Sequence, residues 1–314
     1  MRMATFRDRN MEQKPRLGIV SGTGDAPVER LIDLPHAAAL MGSADEPHQL
    51  TDMLTLIASG PAGLARVAAL AANAPAEASY MLDEIELLAP ILRPRKNVFC
   101  VGRNYAEHAA ESYRAKGEAA PAAAPVSPNF FTKAPTAVNG PYADIPLDAH
   151  VTSQLDWEGE LAVIIGQGGR HIPRAQALAH VWGYTVANDV TARDVQNRSG
   201  MQWFLGKSLD GSCPLGPWIV TADELVDPQR LRLTTYVNGA MKQAGTTADM
   251  IFDVAAIIEA LSAVLTLEPG DIIATGTPSG VGFARTPPEF LHPGDVVEVN
   301  IEGIGTIRNR VVEA

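Results

Sequence analysis

The chain has 314 residues, 46% of them hydrophobic and 19% charged, with two cysteines and a formal net charge of -11. Such a balance supports a large core, while an acidic chain with scattered basic residues argues against nucleic-acid binding, and no run nears the ~18 apolar residues that a bilayer crossing needs. The expectation is a cytoplasmic protein in which Cys100 and Cys213, each among apolar neighbours and matching no zinc or disulfide spacing, are buried structural thiols.

Residues 1 to 90 read as a small N-terminal α/β module, with short strands at Leu17 to Val20 and Leu31 to Leu34 and Ala-rich helices from Thr51 to Ala74. Ala89-Pro-Ile-Leu-Arg-Pro94 carries two prolines and reads as a linker. Beyond it, residues 91 to 314 read as a β-rich domain of short apolar runs punctuated by Gly, Pro and Asp, as at Leu161 to Ile165, Tyr184 to Ala187, Leu231 to Val237, Ile272 to Thr275 and Val296 to Ile301. Helices are expected at Ala106 to Glu111, Arg174 to His180 and Ile251 to Leu265.

In the first of these helices His108 and Glu111 stand three residues apart and share a face. A carboxylate beside an imidazole fixes its tautomer and raises its basicity, which suits a general base; an exposed helical pair is the plainer alternative. The Ala115 to Pro128 insertion, rich in alanine and proline, reads either as a surface loop or as a hinge that lets the preceding helix act as a lid.

Next comes Asp156-Trp-Glu158-Gly-Glu160-Leu-Ala-Val-Ile-Ile165, where strand alternation puts Glu158 and Glu160 on the face of Ala162 and Ile164, opposite Trp157, Leu161, Val163 and Ile165. Two carboxylates opening a strand with two apolar faces repel each other and lose solvation unless a cation joins them. A strand end emerging into solvent is the competing reading. Asp189, closing the run Gly183 to Asn188, is either an Asx turn or helix cap, or a third oxygen ligand. Three carboxylates without His or Cys suit magnesium or manganese. They also leave a site holding one divalent ion at one net negative charge, so an anionic substrate calls for a further cation. Lys207, after Trp203-Phe-Leu-Gly, can supply it, or is a snorkelling surface lysine. Finally, Thr275-Gly-Thr-Pro-Ser-Gly280-Val-Gly282 follows a strand and is either a backbone cradle for an anion or a tight β-turn; it lacks the ending of a P-loop.

Taken in order, GRNYAEHAAE, DWEGELAVIIG, GYTVANDVTARDVQ, GKSLDGSCPLGPW and TGTPSGVG resemble the fumarylacetoacetate hydrolase family over about residues 97 to 314, with the acylpyruvase-like, domain-containing subgroup nearest. The resemblance implies an α+β, β-rich fold with a mixed β-sandwich or barrel, and a homodimer. It places metal ligands on Glu158, Glu160 and Asp189, the active-site lysine on Lys207, a lid dyad on His108 and Glu111, and substrate contacts on Thr277, Arg103, Tyr105, Arg193 and Gln196. Magnesium is the implied ion, with manganese or calcium able to replace it.

The expected substrate is a small anionic 2-keto acid. The first reading is metal-dependent hydrolysis of a C–C bond in acylpyruvates through a chelated enolate, as in the catabolism of aromatic compounds. Its alternative is tautomerisation, isomerisation or decarboxylation of a 2-keto diacid such as oxaloacetate or a hydroxymuconate-type diacid. A ligand-binding protein without catalysis is a remote third, disfavoured because the three carboxylates, the lysine and the His/Glu pair are all present.

Overall fold

The computed structural model describes residues 1–9, 14–21, 30–42, 50, 52–119, 121, 125–198, 200 and 202–314. Thr51 and residues 120 and 122–124 of the insertion lie outside them.

Among the described residues, three layers build a mixed α+β, strand-rich fold. The middle layer is a twelve-stranded sheet whose central strands, in spatial order, are Arg2–Asp8, Cys213–Thr221, Val181–Asn188, Gly159–Ile165, Ile272–Ala274 and Val98–Gly102. One face packs on a five-stranded sheet that includes Arg232–Val237, Val296–Ile301 and Gly305–Glu313. Leu161, Val163, Ile165 and Trp157 meet Leu233, Val299, Ile301 and Ile307 there. Against the other face lie the helices Leu34–Leu40, Met53–Ala58 and Gly60–Ala72, which bring Leu34, Leu56, Ile57 and Val67 to Ala162, Ile164 and Ile219. No helix among the described residues is long and apolar enough to cross a membrane.

The strand Gly159–Ile165 therefore buries two apolar faces, and its alternation divides its side chains between the two clusters as the sequence pattern required. A slip of one residue would exchange the faces, so burial fixes the register. In that register Gly159 lies opposite Asn188 and Glu160 opposite Ala187, which puts the start of one strand beside the end of the other. Carboxylates at those two ends must converge.

Two features depart from the sequence reading. Arg2–Asp8, which the sequence presents as a charged opening, is a buried strand that pairs with Cys213–Thr221 and carries the large sheet into the N-terminal residues. Its Arg2 lies 5.7 Å from the Trp218 ring centroid and pairs with Glu224, and these partners, distant in sequence, make burial tolerable. The proline-flanked segment Ala89 to Pro94 buries Ala89 and Ile91, and the Pro90 carbonyl accepts a 2.7 Å hydrogen bond from the Thr5 hydroxyl. It is packed structure rather than an open linker.

Candidate active site

At the junction of the two central strands, oxygens of Glu158, Glu160 and Asp189 lie within 4.8 Å of one another. All three residues are buried, at 5%, 1% and 0% exposure, so the solvent-exposed strand end and the simple turn cap both fall away. The backbone closes the arrangement: Asp189 N–H donates to the Glu158 carbonyl at 2.9 Å, and Glu158 N–H donates to Asn188 Oδ1 at 3.0 Å.

Three buried anions require compensation. Lys207, at the end of the short helix Phe204–Lys207 and 1% exposed, donates from Nζ to Glu158 Oε2 at 2.9 Å and to Asp189 Oδ2 at 2.7 Å. It is no snorkelling lysine. Lys133, which sequence reasoning missed, is completely buried and donates to Asp189 Oδ1 at 2.8 Å and to the Val190 carbonyl at 2.9 Å. Its signal was a lysine closing the apolar strand Asn129–Lys133, the same cue that flagged Lys207. Arg193 reaches Glu158 Oε1 at 2.7 Å and, through Nε, Asp156 Oδ2 at 2.8 Å. Asp156, also missed, accepts from the N–H groups of Gly282 and Phe283 at 2.7 and 3.0 Å.

These charges divide the carboxylates. Burial raises the Glu158 carboxyl, but Lys207 and Arg193 outweigh it and hold the group at about 2. Burial pushes Glu160 well above the usual carboxylate range, and Asp189 and Glu158 add to the effect. Among the described residues Glu160 forms no ion pair; its oxygen accepts from a backbone N–H instead. An all-oxygen donor set with one uncompensated member fits a hard divalent ion such as magnesium or manganese.

The Gly-rich loop after Ile272–Ala274 does cradle anions, and they belong to the protein. Gly276 N–H donates to Glu160 Oε2 at 2.8 Å, and Gly280 N–H donates to both oxygens of Glu111 at 3.1 and 2.9 Å. Gly276 has φ +101°, and a Cβ there would lie 2.7 Å from Asn104 Cβ, so the turn requires glycine. Thr277 donates to the Gly159 carbonyl at 2.8 Å and accepts from Gln243 Nε2 at 2.7 Å. Gln243 is a third residue the sequence did not mark, for it lies on a strand outside every recognised motif.

Across the cavity stands the helix Ala106–Ala115. His108 is buried, and its Nδ1 lies 2.9 Å from Glu111 Oε1, so the exposed-pair reading fails and Nε2 is the ring nitrogen left for the cavity. His108, Glu158, Glu160, Lys207, Arg193, Gln196, Thr277 and Arg103 line one cavity of about 170 Å³. Tyr105 does not. Its hydroxyl is buried without a hydrogen-bond partner among the described residues, and burial together with Glu160 pushes its pKa up. Cys100 and Cys213 are both fully buried; burial raises the Cys100 thiol well above its ordinary value and Cys213 to about 12. Neither thiol is a nucleophile.

Residues 97–312 match the family model described as fumarylacetoacetate (FAA) hydrolase C-terminal. The chain is 49% identical over 232 residues to oxaloacetate tautomerase YisK of Bacillus subtilis, covering 74% of this chain and 75% of that one. It is 42% identical over 314 residues to the mitochondrial oxaloacetate tautomerase FAHD2B of Bos taurus, covering 99% of this chain and 92% of the relative. Among solved structures, a fumarylacetoacetate hydrolase from Exiguobacterium antarcticum matches with a TM-score of 0.79 and 38% identity over 100% of both chains. A 5-carboxymethyl-2-hydroxymuconate delta-isomerase from Mycobacterium smegmatis matches at 0.72 and 33%, again over 100% of both.

Proposed function

The chain belongs to the fumarylacetoacetate hydrolase family, and within that family of enzymes we propose that it is a magnesium-dependent tautomerase of 2-keto diacids such as oxaloacetate. This replaces the hydrolytic first reading of the sequence by its alternative, because relatives similar over nearly the whole chain are named for tautomerisation. The observation that carries the proposal is that His108, paired with Glu111, lines the same small cavity as Glu158 and Glu160 of the three-carboxylate cluster.

Keto–enol interconversion moves one proton between C3 and the C2 oxygen and neither gains nor loses an atom. A divalent ion held by Glu158, Glu160 and Asp189 supplies the Lewis acidity that makes C3–H acidic. His108 Nε2 takes that proton, and Glu111 stabilises the imidazolium across the 2.9 Å contact. Glu111 is held in turn by Gly280 N–H, so the base keeps its aim without contact to substrate. Lys207, which bridges two carboxylates of the cluster and lines the cavity, offsets charge as it builds on the C2 oxygen. Arg193 and Gln196, joined at 3.3 Å, complete the wall on the side of Glu158. Returning the proton to oxygen closes the cycle without water.

The same dyad would also serve to activate water against a second carbonyl, which keeps acylpyruvate cleavage as the second reading. One assay separates the two. Oxaloacetate and acetylpyruvate are followed by enol absorbance with magnesium and with EDTA, and products are identified. The expected outcome is metal-dependent enol loss from oxaloacetate with the four-carbon skeleton intact. Pyruvate and acetate from acetylpyruvate, with no acceleration of oxaloacetate tautomerisation, would reverse the assignment.

A further inference from the structure

Thr277 puts a hydroxyl on the cavity wall, and what that hydroxyl can offer is settled behind the wall. The strand Gly159–Ile165 pairs with Ile272–Ala274 only as far as Ala162, opposite Ala274. Beyond that point the backbone of Gly159 turns to side chains. Its N–H donates to Gln243 Oε1 at 3.0 Å, Gln243 Nε2 donates to Thr277 Oγ1 at 2.7 Å, and Thr277 Oγ1 donates back to the Gly159 carbonyl at 2.8 Å. The three bonds close a ring in which every donor points the same way round, so each polarises the next.

The direction of the ring is imposed. A free amide can turn over and exchange its donor and acceptor. Gln243 cannot, because Oε1 faces an N–H, which only donates, and Nε2 also faces the Pro278 carbonyl at 2.9 Å, which only accepts. Both Gln243 and Thr277 are 2% exposed, so a bond left unmade here carries the full cost of desolvation. A hydroxyl has one hydrogen and two lone pairs. Thr277 commits the hydrogen to Gly159 and one lone pair to Gln243. A lone pair is what it has left for the cavity.

Such a wall accepts a hydrogen bond and cannot donate one. It repels carbonyl and carboxylate oxygen and receives an O–H. Resting on the tautomerase reading above, we infer that Gln243 is a positioning residue that locks Thr277 as an acceptor, so that the site favours the enol, whose C2 oxygen carries a hydrogen, over the keto acid. Gln243 acts from the strand Ala240–Thr246 and is not among the side chains that line the cavity. Closing the end of the strand would take only the two bonds to Gly159. The bond from Gln243 to Thr277 goes beyond that need and fixes the polarity.

Binding tests the polarity without turnover. Magnesium-loaded protein is titrated calorimetrically with 2-hydroxysuccinate and with 2-fluorosuccinate, which match in charge and closely in size but differ in whether the group on C2 carries a hydrogen. The preference for the hydroxy acid is compared between proteins, so the share owed to the ion is common to all. Thr277→Val should cut the preference by about fivefold, the worth of one neutral hydrogen bond, and Thr277→Ser should keep it. Gln243→Met opens the ring and lets Thr277 turn its hydrogen into the cavity. It should cut the preference by about threefold, with affinity for the fluoro acid held or raised. Gln243→Leu repeats that cut with a different side-chain shape, so the test stands if one variant does not fold. Equal weakening of both acids would reduce Gln243 to a part in folding and overturn its positioning role, as would a full preference retained in both Gln243 variants. A wild type that binds the two acids equally, or an undiminished preference in Thr277→Val, would overturn the acceptor itself. A protein with these preferences that leaves oxaloacetate enol untouched keeps the acceptor and loses the tautomerase assignment, whereas one that speeds enol loss without the preference does the reverse.

Discussion

Of the three clustered carboxylates Glu160 has the most to lose from its burial, since Lys207 reaches only Glu158 and Asp189. Glu160→Gln should therefore fold normally, relieve repulsion within the cluster, and abolish magnesium binding measured by calorimetry together with activity. Retention of wild-type magnesium affinity would remove Glu160 from the ligand set. Lys133 makes a different prediction. It is fully buried and touches Asp189 on the oxygen opposite Lys207, so Lys133→Met removes one of the two buried cations that Asp189 meets. Removal of one partner from such a pair costs about 3–5 kcal/mol, measurable by urea unfolding, and loss of an outer-shell partner lowers metal affinity about 10- to 100-fold. At this scale the sequence showed Glu158 and Glu160 because they open an apolar strand, and Asp189 and Lys207 because each follows an apolar run. Lys133 and Asp156 escaped because each acts through a partner far along the chain, on Asp189 and on the N–H groups of Gly282 and Phe283.

Two elements fix His108 beside the cluster, the helix Ala106–Ala115 and the loop from Thr275 to Gly282, and they meet at Glu111. His108→Ala should lower tautomerisation by about 10²- to 10⁴-fold, the usual contribution of a positioned general base, while magnesium affinity stays unchanged. Full activity in that variant would dismiss His108 as the base. Gly280→Ala probes the loop's part. A Cβ at Gly280, whose φ is +106°, would lie 2.1 Å from the Lys242 carbonyl, so the turn must shift and release Glu111. Turnover number should then fall with little change in magnesium affinity, whereas unchanged turnover would show that Glu111 needs no anchor. The element pattern was largely legible in the central strands, where hydrophobic alternation is uninterrupted. It was illegible for Arg2–Asp8, whose opening arginine is buried only because Trp218 and Glu224 receive it from far along the chain.

The large sheet runs unbroken from the N-terminal strands through the site, with Arg2 opposite Val220 and Met3 opposite Ile219. A chain cut to residues 91–314 would leave Cys213–Thr221 with a bare edge and the face around Ile164 and Ile219 without its helices. Such edges template association. We expect the truncated chain to be insoluble or aggregated by size-exclusion chromatography; a monodisperse, active fragment would show that the first 90 residues are dispensable. Magnesium should raise the melting temperature of the full chain with the logarithm of its free concentration above Kd, by an increment equivalent to about 2.7 kcal/mol at a hundred times Kd, and should leave Glu160→Gln unmoved.

Lys133 and Lys207 are part of the polypeptide, and with Arg193 they neutralise most of the buried negative charge wherever the chain folds. The order of assembly follows: folding first, loading afterwards. Unlike small domains that collapse only around their ion, a chain neutralised in this way needs no metal in order to fold, and under the proposed function its activity would track the supply of divalent ions while its abundance would not.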